Sequence, residues 1–477
     1  MLFAHVIVCA LPAKAEKLAS QQLVAKLDDL LRTHEAARRS NLALKVVDLT
    51  DGSTVYDSSG DRLFTPASNL KIYTTACALG VWDPDRQFST EVRALGPIVD
   101  GVLQGDITLV GGGDSMLTSA RLSELAERVV ADWGLKKIQG RVHVDRSRYG
   151  SPFKGPGWMW DDDPDYYNMS ISSLMVDFNV LKVRVAPDEQ GRPQAALAPV
   201  SAWPLLHLET RGDAEFSATR RPFTEPIAVL CGETVSEPKE VSLTMHDPYR
   251  WIAGLFAEQL RQKGVEASLL GPTEGGDGVT PPGGQPQGQR AVAFEGASIA
   301  ETLKHFCHAS ENAVGEVLLH EIAIAQGVAQ PKWSDGAKAI TEWLTQTAGL
   351  EEGSFRLVDG SGLSRYNLIS ADSSTRLLVF MHSHPHAQTF YDALPKYDVA
   401  RPDEGQVGSE KGDAETRPCV AAKPGGMSGV STISGYLDTL DGRRLAFSFL
   451  ANGYLGSNRP VLELRRQIWE TLQQYAP

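Results

Sequence analysis

The sequence has little cysteine, no excess of basic residues and no cluster of histidines, and each of these absences excludes a class of protein. Five cysteines in 477 residues are too few for a disulfide scaffold, and their separations fit no zinc finger. The formal net charge is −13 and there is no basic run, so nucleic acid is not an expected partner. The 11 histidines form no metal-ligand pattern, and no metal is expected.

Two loops of unusual composition carry no clear ligand signal. Residues 111–114 (Gly-Gly-Gly-Asp) are not followed by Gly-Lys-Ser/Thr, which predicts a tight turn rather than a phosphate-binding loop. Residues 155–163 combine aromatic and acidic side chains. Such a loop suits a sugar or an amine, and a packed surface loop is an equally good interpretation.

Residues 1–15 begin with a short apolar run and end in Ala-Lys-Ala. The run is too short to span a bilayer but suits a secretory signal, and the last three residues fit an A-x-A cleavage site. A buried N-terminal strand is the alternative. We favour the signal peptide, which predicts a periplasmic or otherwise extracytoplasmic protein.

The rest of the chain is long enough for two or three domains. Its patterns predict a helix at 16–35, strands at 43–48 and 54–57, and short strands from about residue 85, with one clear helix at 119–133. A low-complexity linker or surface loop is expected at 271–290. Helices are then predicted at 299–307, 314–326, 333–347 and 370–384, followed by strands at 429–437 and 445–450 and a helix at 460–475.

Ser68 and Lys71 form the first candidate reactive pair. The residues around them predict a turn that enters a helix, and positions three apart lie on the same helix face. A serine hydroxyl becomes nucleophilic when a base accepts its proton, and a desolvated lysine near another cation can be that base. Ser-x-x-Lys occurs by chance in most long chains, so an ordinary helix start is the alternative at this point.

Two further motifs follow along the chain. Residues 310–312 (Ser-Glu-Asn) are expected in a polar loop between two helices. Residues 423–426 (Lys-Pro-Gly-Gly) are expected to precede a strand, and their glycines let a ligand approach the backbone closely. Ser-x-x-Lys, Ser-x-Asn and Lys-x-Gly in this order form the set that penicillin-binding proteins and serine β-lactamases carry.

With these motifs, nearly the whole mature chain resembles the D-alanyl-D-alanine carboxypeptidase/endopeptidase family of low-molecular-mass class C penicillin-binding proteins. Residues 359–367 (Asp-Gly-Ser-Gly-Leu-Ser-Arg-Tyr-Asn) are close to a distinctive stretch of that family. Ser68 and Ser310 lie 310 − 68 = 242 positions apart, a gap in which the family holds extra domains. The resemblance implies an α+β fold. A serine β-lactamase/transpeptidase-like domain, an antiparallel sheet with helices, would occupy 16–85 and 296–477, with a large β-rich inserted region at 86–295.

The resemblance implies catalytic roles for five residues. Ser68 would attack the carbonyl between two D-alanines and form an acyl-enzyme, with Lys71 as its base. Ser310 would relay a proton towards the leaving amine, and Asn312 would hold both Lys71 and the substrate amide. Lys423 would supply positive potential that helps keep Lys71 deprotonated.

Further residues are implied in substrate binding. The backbone N–H groups of the nucleophile and of Gly426 would hold the oxyanion, beside Gly425. Asp162, Tyr167 and Arg365 fall near the family's pocket for the free amino end of the stem peptide. For Arg365 a structural ion pair is an equally good interpretation. The resemblance makes peptidoglycan stem peptides the expected substrates and β-lactams the expected covalent inhibitors, and it implies no cofactor.

The third motif departs from the family pattern. Pro424 and Gly426 stand where two hydroxyl residues usually bind the terminal carboxylate of the substrate, and the segment 397–417 also departs. The departure supports an alternative, a catalytically weakened relative that binds peptidoglycan or a partner without efficient turnover. A β-lactamase or esterase on the same fold is disfavoured by the long insertion. Proline lacks an N–H, so Pro424 fits a strand only where that position faces the open side of a sheet edge. The family fold implies an edge strand here with position 424 facing the cleft, so we predict that the strand tolerates Pro424.

Overall fold

The structure is a computed structural model that describes residues 17–150, 152–201, 203–221, 224, 226–267, 290–399 and 420–477. The predicted signal peptide at 1–15 lies outside the described residues, as do nearly all of the predicted linker at 271–290 and most of 397–417. Within the described ranges, no helix combines the length and the apolar character needed to cross a membrane.

The described residues form eleven α-helices and three 3-10 helices. The α-helices are α1 (Ser20–Thr33), α2 (Glu35–Arg38), α3 (Lys71–Val81), α4 (Ser119–Trp133), α5 (Pro248–Gln262), α6 (Ile299–His308), α7 (Asn312–Ala325), α8 (Trp333–Gln346), α9 (Ala371–His382), α10 (Ala387–Ala393) and α11 (Arg459–Gln473). The 3-10 helices are Ala67–Leu70, Trp160–Asp162 and Asp177–Asn179.

The described residues also form 21 β-strands. They are β1 (Asn41–Asp48), β2 (Thr54–Ser58), β3 (Gln87–Leu95), β4 (Ile98–Val99), β5 (Val102–Leu103), β6 (Asp106–Gly111), β7 (Lys137–Ile138), β8 (Val142–Val144), β9 (Val180–Pro187), β10 (Pro193–Ala198), β11 (Leu206–Thr210), β12 (Ser217–Thr219), β13 (Ile227–Cys231), β14 (Lys239–Thr244), β15 (Ala291–Ser298), β16 (Phe355–Arg356), β17 (Leu368–Ile369), β18 (Lys396–Tyr397), β19 (Val420–Met427), β20 (Val430–Asp438) and β21 (Arg444–Asn452).

The chain divides into two compact units. The described part of the first unit comprises residues 17–84, 299–311, 337–399 and 420–477. The second unit comprises the described residues between 85 and 298 together with residues 312–336.

The first unit is built on a six-stranded antiparallel sheet in the order β18-β19-β20-β21-β1-β2. Leu27 of α1 and Trp469 of α11 lie in one hydrophobic cluster with Phe447 of the sheet. Helix α3 is buried along residues 71–79, so Lys71 at its start is withdrawn from water. That burial is the condition under which a lysine amine can act as a base.

The second unit holds four smaller sheets, in the orders β15-β3-β6-β8, β10-β9-β14, β11-β13-β12 and β4-β5-β7. Leu122 of α4, Phe256 of α5 and Val92 of β3 lie in one hydrophobic cluster of this unit. The unit is therefore rich in strands and has a hydrophobic core of its own.

Most of the predicted helices are confirmed. Helix α4 matches the prediction at both ends, where the Thr118 side chain accepts a hydrogen bond from the Arg121 N–H and Gly134 ends the helix with a φ of 59°. The helix predicted at 16–35 begins later, at Ser20, and is followed by the short α2.

The middle of the chain contains a second helix, α5, which was not predicted. Its less buried residues Arg250, Glu258 and Arg261 recur at helical spacing among apolar residues, so the sequence carries the periodic pattern of a helix. A further signal that could have found it is its start: the Asp247 side chain accepts from the Arg250 N–H, and Pro248 takes the first helical position.

The third motif precedes a strand, as predicted, because β20 follows it. The Lys-Pro-Gly-Gly sequence itself lies in another strand, β19. Proline and glycine are disfavoured in strands, so the local sequence does not indicate that this strand includes them.

Candidate active site

Ser68 lies in the 3-10 helix Ala67–Leu70, which leads directly into α3. The preceding residue, Ala67, has a φ of 48°, a left-handed conformation that is costly for a residue with a side chain. Gly362 is packed closely against this turn, since a Cβ there would lie 2.0 Å from the Ala67 carbonyl oxygen. Such strain persists only where surrounding structure enforces it, and it is frequent at functional sites.

Lys71 is fully buried, and its Nζ lies 2.9 Å from Ser68 Oγ. The amine also donates a hydrogen bond of 2.9 Å to the Ser361 carbonyl oxygen, and it lies 5.4 Å from the centre of the Phe306 ring. The structure thus brings the two residues of the first motif into hydrogen-bond contact. An amine held at this distance can take the hydroxyl proton when it is neutral.

The carbonyl that holds Lys71 belongs to a tight loop at 359–367. Asp359 is buried at its centre and accepts hydrogen bonds from the Ser364 N–H (2.6 Å) and from the Asn367 side-chain amide (2.7 Å). This loop is the stretch that resembles the family. The hydrogen bonds of Asp359 within the loop fix the Ser361 carbonyl oxygen beside the Lys71 amine.

Ser310 and Lys423 form a second contact in the first unit. Ser310 follows α6 and has a φ of 58°, so it is another non-glycine residue in the left-handed region. Lys423 of β19 is 2% exposed and donates a hydrogen bond of 2.9 Å from Nζ to Ser310 Oγ. Burial lowers the pKa of Lys423 to about 8, so the amine stays largely protonated at neutral pH.

Asn69 joins the first motif to the strand of the third. It is fully buried, and its Nδ2 donates a hydrogen bond of 2.6 Å to the Lys423 carbonyl oxygen. Its Oδ1 accepts a bond of 2.9 Å from Ser434 Oγ, which lies 2.8 Å from Ser448 Oγ. Asn69 was missed in the sequence analysis, because a polar residue beside a nucleophile gives no sign of partners that lie 354 and 365 positions away.

Asn69→Leu should lower both stability and reactivity. The change removes one hydrogen-bond partner from the Lys423 carbonyl and one from the Ser434 hydroxyl, and each such bond contributes about 0.5–1.5 kcal/mol. We expect a lower midpoint in thermal unfolding and an acylation rate by fluorescent penicillin that falls about tenfold or more. Ser448→Ala is the matched control, because it keeps both Asn69 bonds. Equal behaviour of the two variants would contradict the role of Asn69.

The prediction that β19 tolerates Pro424 is confirmed, since the strand stays paired with β20 from residue 420 to 427. On its other side, among the described residues, β19 pairs with β18 at Val420 and Ala421 only. The Ala422 N–H donates to the Pro395 carbonyl oxygen, away from β20. Because the direction alternates along a strand, the backbone nitrogens of positions 424 and 426 face that same open side. Proline at 424 therefore removes no ladder hydrogen bond.

The two glycines of the third motif have different surroundings. A Cβ on Gly425 would lie 2.3 Å from the Pro66 carbonyl oxygen and 2.5 Å from the Asn69 nitrogen. At Gly426, which is exposed, the nearest atom to a Cβ would be the Val430 carbonyl oxygen at 4.0 Å. Gly425 thus allows the strand to pack on the nucleophile turn, and Gly426 leaves its backbone N–H accessible.

Asn312, Tyr167 and Asp162 are brought together in the second unit. Asn312 begins α7, and its Nδ2 donates a hydrogen bond of 2.9 Å to the Tyr167 carbonyl oxygen. The Tyr167 hydroxyl donates a bond of 2.9 Å to Asp162 Oδ1. Burial and the nearby Asp162 carboxylate raise the pKa of Tyr167, which keeps this hydroxyl protonated as a donor.

Arg365 is exposed in the first unit. Its Nη2 donates a hydrogen bond of 3.2 Å to the Ser428 carbonyl oxygen, in the turn after β19. Among the residues that the structure describes, it takes part in no ion pair, so the structural ion pair considered as its alternative role is absent there.

Known proteins match this chain along most of its length. A family model described as the D-Ala-D-Ala carboxypeptidase 3 (S13) family matches residues 23–475. A D-alanyl-D-alanine carboxypeptidase of Actinomadura sp. (strain R39) is 32% identical over 431 residues, which cover 86% of this chain and 77% of the relative. The D-alanyl-D-alanine carboxypeptidase DacB of Haemophilus influenzae is 23% identical, and the match covers 93% of each chain.

Solved structures share the fold. Penicillin binding protein 4 (dacB) of Haemophilus influenzae superposes with a TM-score of 0.76 at 21% identity, covering 94% of this chain and 99% of that one. The same protein complexed with a β-lactam superposes with a TM-score of 0.72 at 20% identity, covering 94% of this chain and 100% of that one.

The chain belongs to the D-Ala-D-Ala carboxypeptidase 3 (S13) family. It is a serine-type peptidase of the penicillin-binding protein class, with the α+β transpeptidase-like fold that its sequence predicted. Both the predicted family and the predicted fold class are confirmed.

Proposed function

We propose that this chain is an exported serine DD-peptidase that hydrolyses D-alanyl bonds of peptidoglycan stem peptides through an acyl-enzyme on Ser68. The observation that carries the proposal is the buried Lys71 amine, 2.9 Å from Ser68 Oγ. The named D-alanyl-D-alanine carboxypeptidase relatives support the substrate class. Export rests on the predicted signal at 1–15.

In the proposed acylation step, Ser68 Oγ attacks the carbonyl carbon of the penultimate D-alanine while Lys71 Nζ takes the hydroxyl proton. The negative charge that develops on the carbonyl oxygen is held by the N–H groups of Ser68 and Gly426. Collapse of this intermediate breaks the C–N bond. Ser310 Oγ passes its proton to the leaving amine and receives the proton that Lys71 took from Ser68, so Lys71 is neutral again. Lys423 stays protonated and orients Ser310 Oγ through its hydrogen bond.

Hydrolysis of the acyl-enzyme repeats the chemistry with water. Lys71 takes a proton from a water that attacks the ester carbonyl, the bond to Ser68 Oγ breaks, and the serine regains its proton. The role proposed for Asn312, binding of the substrate amide, comes from the resemblance of its motif. We also propose that residues 16–85 and 296–477 form the catalytic domain and that residues 86–295 form the β-rich insertion.

Labelling by fluorescent penicillin, together with release of D-alanine from a pentapeptide, tests the proposal. The expected result is one covalent adduct per chain on the peptide that contains Ser68, and measurable D-alanine release. A β-lactam is a fitting probe because the related penicillin binding protein 4 was solved with one. A folded chain that neither binds penicillin nor releases D-alanine would favour the alternative of a non-catalytic peptidoglycan-binding relative, which the family comparisons do not favour.

We also propose that endopeptidase activity on cross-linked peptides exceeds carboxypeptidase activity. Without hydroxyls at 424 and 426, β19 offers fewer donors to a terminal carboxylate. A hydrogen bond to a charged group contributes roughly 1.5–3 kcal/mol, which corresponds to about tenfold to a hundredfold in rate. An endopeptidase substrate, whose carboxylate is placed differently, depends on these donors less.

Pro424→Thr together with Gly426→Thr should raise kcat/KM for the pentapeptide by about tenfold or more and change hydrolysis of a cross-linked dimer less. The open space at Gly426 accommodates the new side chain. Pro424→Val with Gly426→Val is the matched control, because valine has nearly the shape of threonine without its hydroxyl. If the valine pair raises the rate as much as the threonine pair, or neither raises it, the missing hydroxyls do not set substrate choice.

A further inference from the structure

A buried cluster of three charged residues lies in the second unit, outside the site described above. The side chains of Arg220 and Asp163 are each 1% exposed, and the guanidinium donates to both carboxylate oxygens at 2.6 and 2.7 Å. Lys154 Nζ lies 3.1 Å from the same carboxylate. Burial lowers the pKa of Lys154 to about 8. Transferring these charges from water into the protein costs free energy. We therefore consider a role of the cluster other than stabilising the fold.

Arg220 is a fixed anchor for the cluster. Its Nε donates to the Thr244 carbonyl oxygen at 3.0 Å, and Nη2 donates to Thr244 Oγ1 at 3.2 Å. Its Nη1 also donates to the Thr224 carbonyl oxygen at 3.3 Å. Together with the two bonds to Asp163, these contacts occupy all five N–H donors of the guanidinium. The arginine therefore holds Asp163 against the end of β14.

Asp163 lies in the loop 154–168, and the cluster fixes that loop at several points. Lys154, at its beginning, donates to the Asp163 carboxylate and to the Asn168 carbonyl oxygen at its end. The Asn168 side-chain amide donates to the Met159 carbonyl oxygen at 3.1 Å. The loop is thus closed on itself by hydrogen bonds from the Lys154 amine and from the Asn168 side chain.

The same loop presents the acceptor for Asn312. The Tyr167 carbonyl oxygen, next to Asn168, accepts the 2.9 Å hydrogen bond from Asn312 Nδ2. Asn312 is 8% exposed. The amide group of an asparagine is planar, so a hydrogen bond to one of its N–H groups constrains the direction of its remaining N–H and of Oδ1.

We propose that the cluster of Arg220, Asp163 and Lys154 positions the side chain of Asn312 through the loop 154–168. The inference rests on the proposed function, in which Asn312 binds the substrate amide during acylation. The three charged residues are positioning residues, because the hydrogen bonds given above join them to the loop, to Thr224 and to β14. In this way the cluster contributes to the proposed chemistry by orienting one amide.

Arg220→Met is the main test. We expect the second-order rate constant for acylation by fluorescent penicillin, normalised to the number of sites that become labelled, to fall about tenfold to a hundredfold. A purely structural role would reduce the number of active molecules and leave this normalised constant unchanged. Arg220→Lys should recover part of the rate, since it keeps the charge and loses the two-pronged geometry. Should Arg220→Met fail to fold, Lys154→Met keeps the Arg220–Asp163 pair and is measured in the same way.

Arg146→Met is the matched control. Arg146 also makes a two-pronged contact in the second unit, but with Asp247, at 2.7 and 3.0 Å. Its normalised acylation constant should stay within about twofold of the wild type. Hydrogen–deuterium exchange should increase at 154–168 and at the start of α7 in Arg220→Met and not in Arg146→Met.

A double-mutant cycle separates this inference from the proposed function. In an Asn312→Ala background, Arg220→Met should cause little further loss of rate. If the two losses simply add, or if Arg220→Met acylates like the wild type while Asn312→Ala is slow, the positioning role is overturned and the proposed function stands. If Asn312→Ala itself acylates at the wild-type rate, the role of Asn312 fails and the positioning role fails with it.

Discussion

Ser68→Ala is expected to give a folded protein that takes up no fluorescent penicillin and releases no D-alanine from a pentapeptide. The change removes the oxygen that lies 2.9 Å from Lys71 Nζ and leaves the 3-10 turn with a residue that suits it. We expect the midpoint of thermal unfolding to stay close to that of the wild type. The measurements are in-gel fluorescence, intact mass and thermal unfolding.

Ser448→Ala serves as the control for this prediction, since it removes a buried hydroxyl of the first unit that does not contact Lys71. It should still be labelled on the peptide that contains Ser68. Covalent labelling that persists in folded Ser68→Ala would assign the nucleophile to another serine, and the proposed mechanism would have to be abandoned.

The second large effect is expected for Lys71→Met. Methionine fills most of the volume of the lysine stem but cannot take a proton, and general-base catalysis contributes typically about 10²–10⁴-fold. The acylation rate constant should therefore fall by about that factor. The Ser361 carbonyl also loses its amine donor, so a modest loss of stability should accompany the loss of rate.

Lys396→Met is a matched control, because Lys396 is also a lysine of the first unit. Burial lowers the pKa of Lys396 to about 8. Its amine donates to the Tyr391 carbonyl oxygen and lies 3.6 Å from the centre of the Tyr391 ring. Stopped-flow acylation of the two variants should differ by about a hundredfold or more. Similar rates would remove Lys71 from the role of base.

Local chemistry made much of this protein predictable. Helix α4 was found at both ends because its stripe of apolar residues is bounded by Thr118 and Gly134, which cap a helix wherever it occurs. Helix α5 was not predicted, although Arg250, Glu258 and Arg261 recur at helical spacing among its apolar residues and Asp247 and Pro248 mark its start.

The backbone of the reactive turns was not predictable in the same way. Ala67 and Ser310 both have positive φ values, 48° and 58°, although neither is the glycine that such a conformation favours. The close approach of Gly362 to the Ala67 carbonyl oxygen is one of the contacts around this turn. These conformations are imposed by packing between distant segments, so no local sequence rule indicates them.

The sequence alone determined the family, the fold class and the order of the three motifs, because each motif is a short run whose residue types carry the chemistry. Tertiary structure decided which residues those motifs contact. Lys423 donates a hydrogen bond to Ser310, Asn69 donates one to the Lys423 carbonyl, and Asn312 donates one to the Tyr167 carbonyl. Each of these bonds joins residues more than a hundred positions apart. A hydrogen bond forms only within a narrow range of donor–acceptor distances and angles. Only the packing of whole sheets and helices sets these distances and angles.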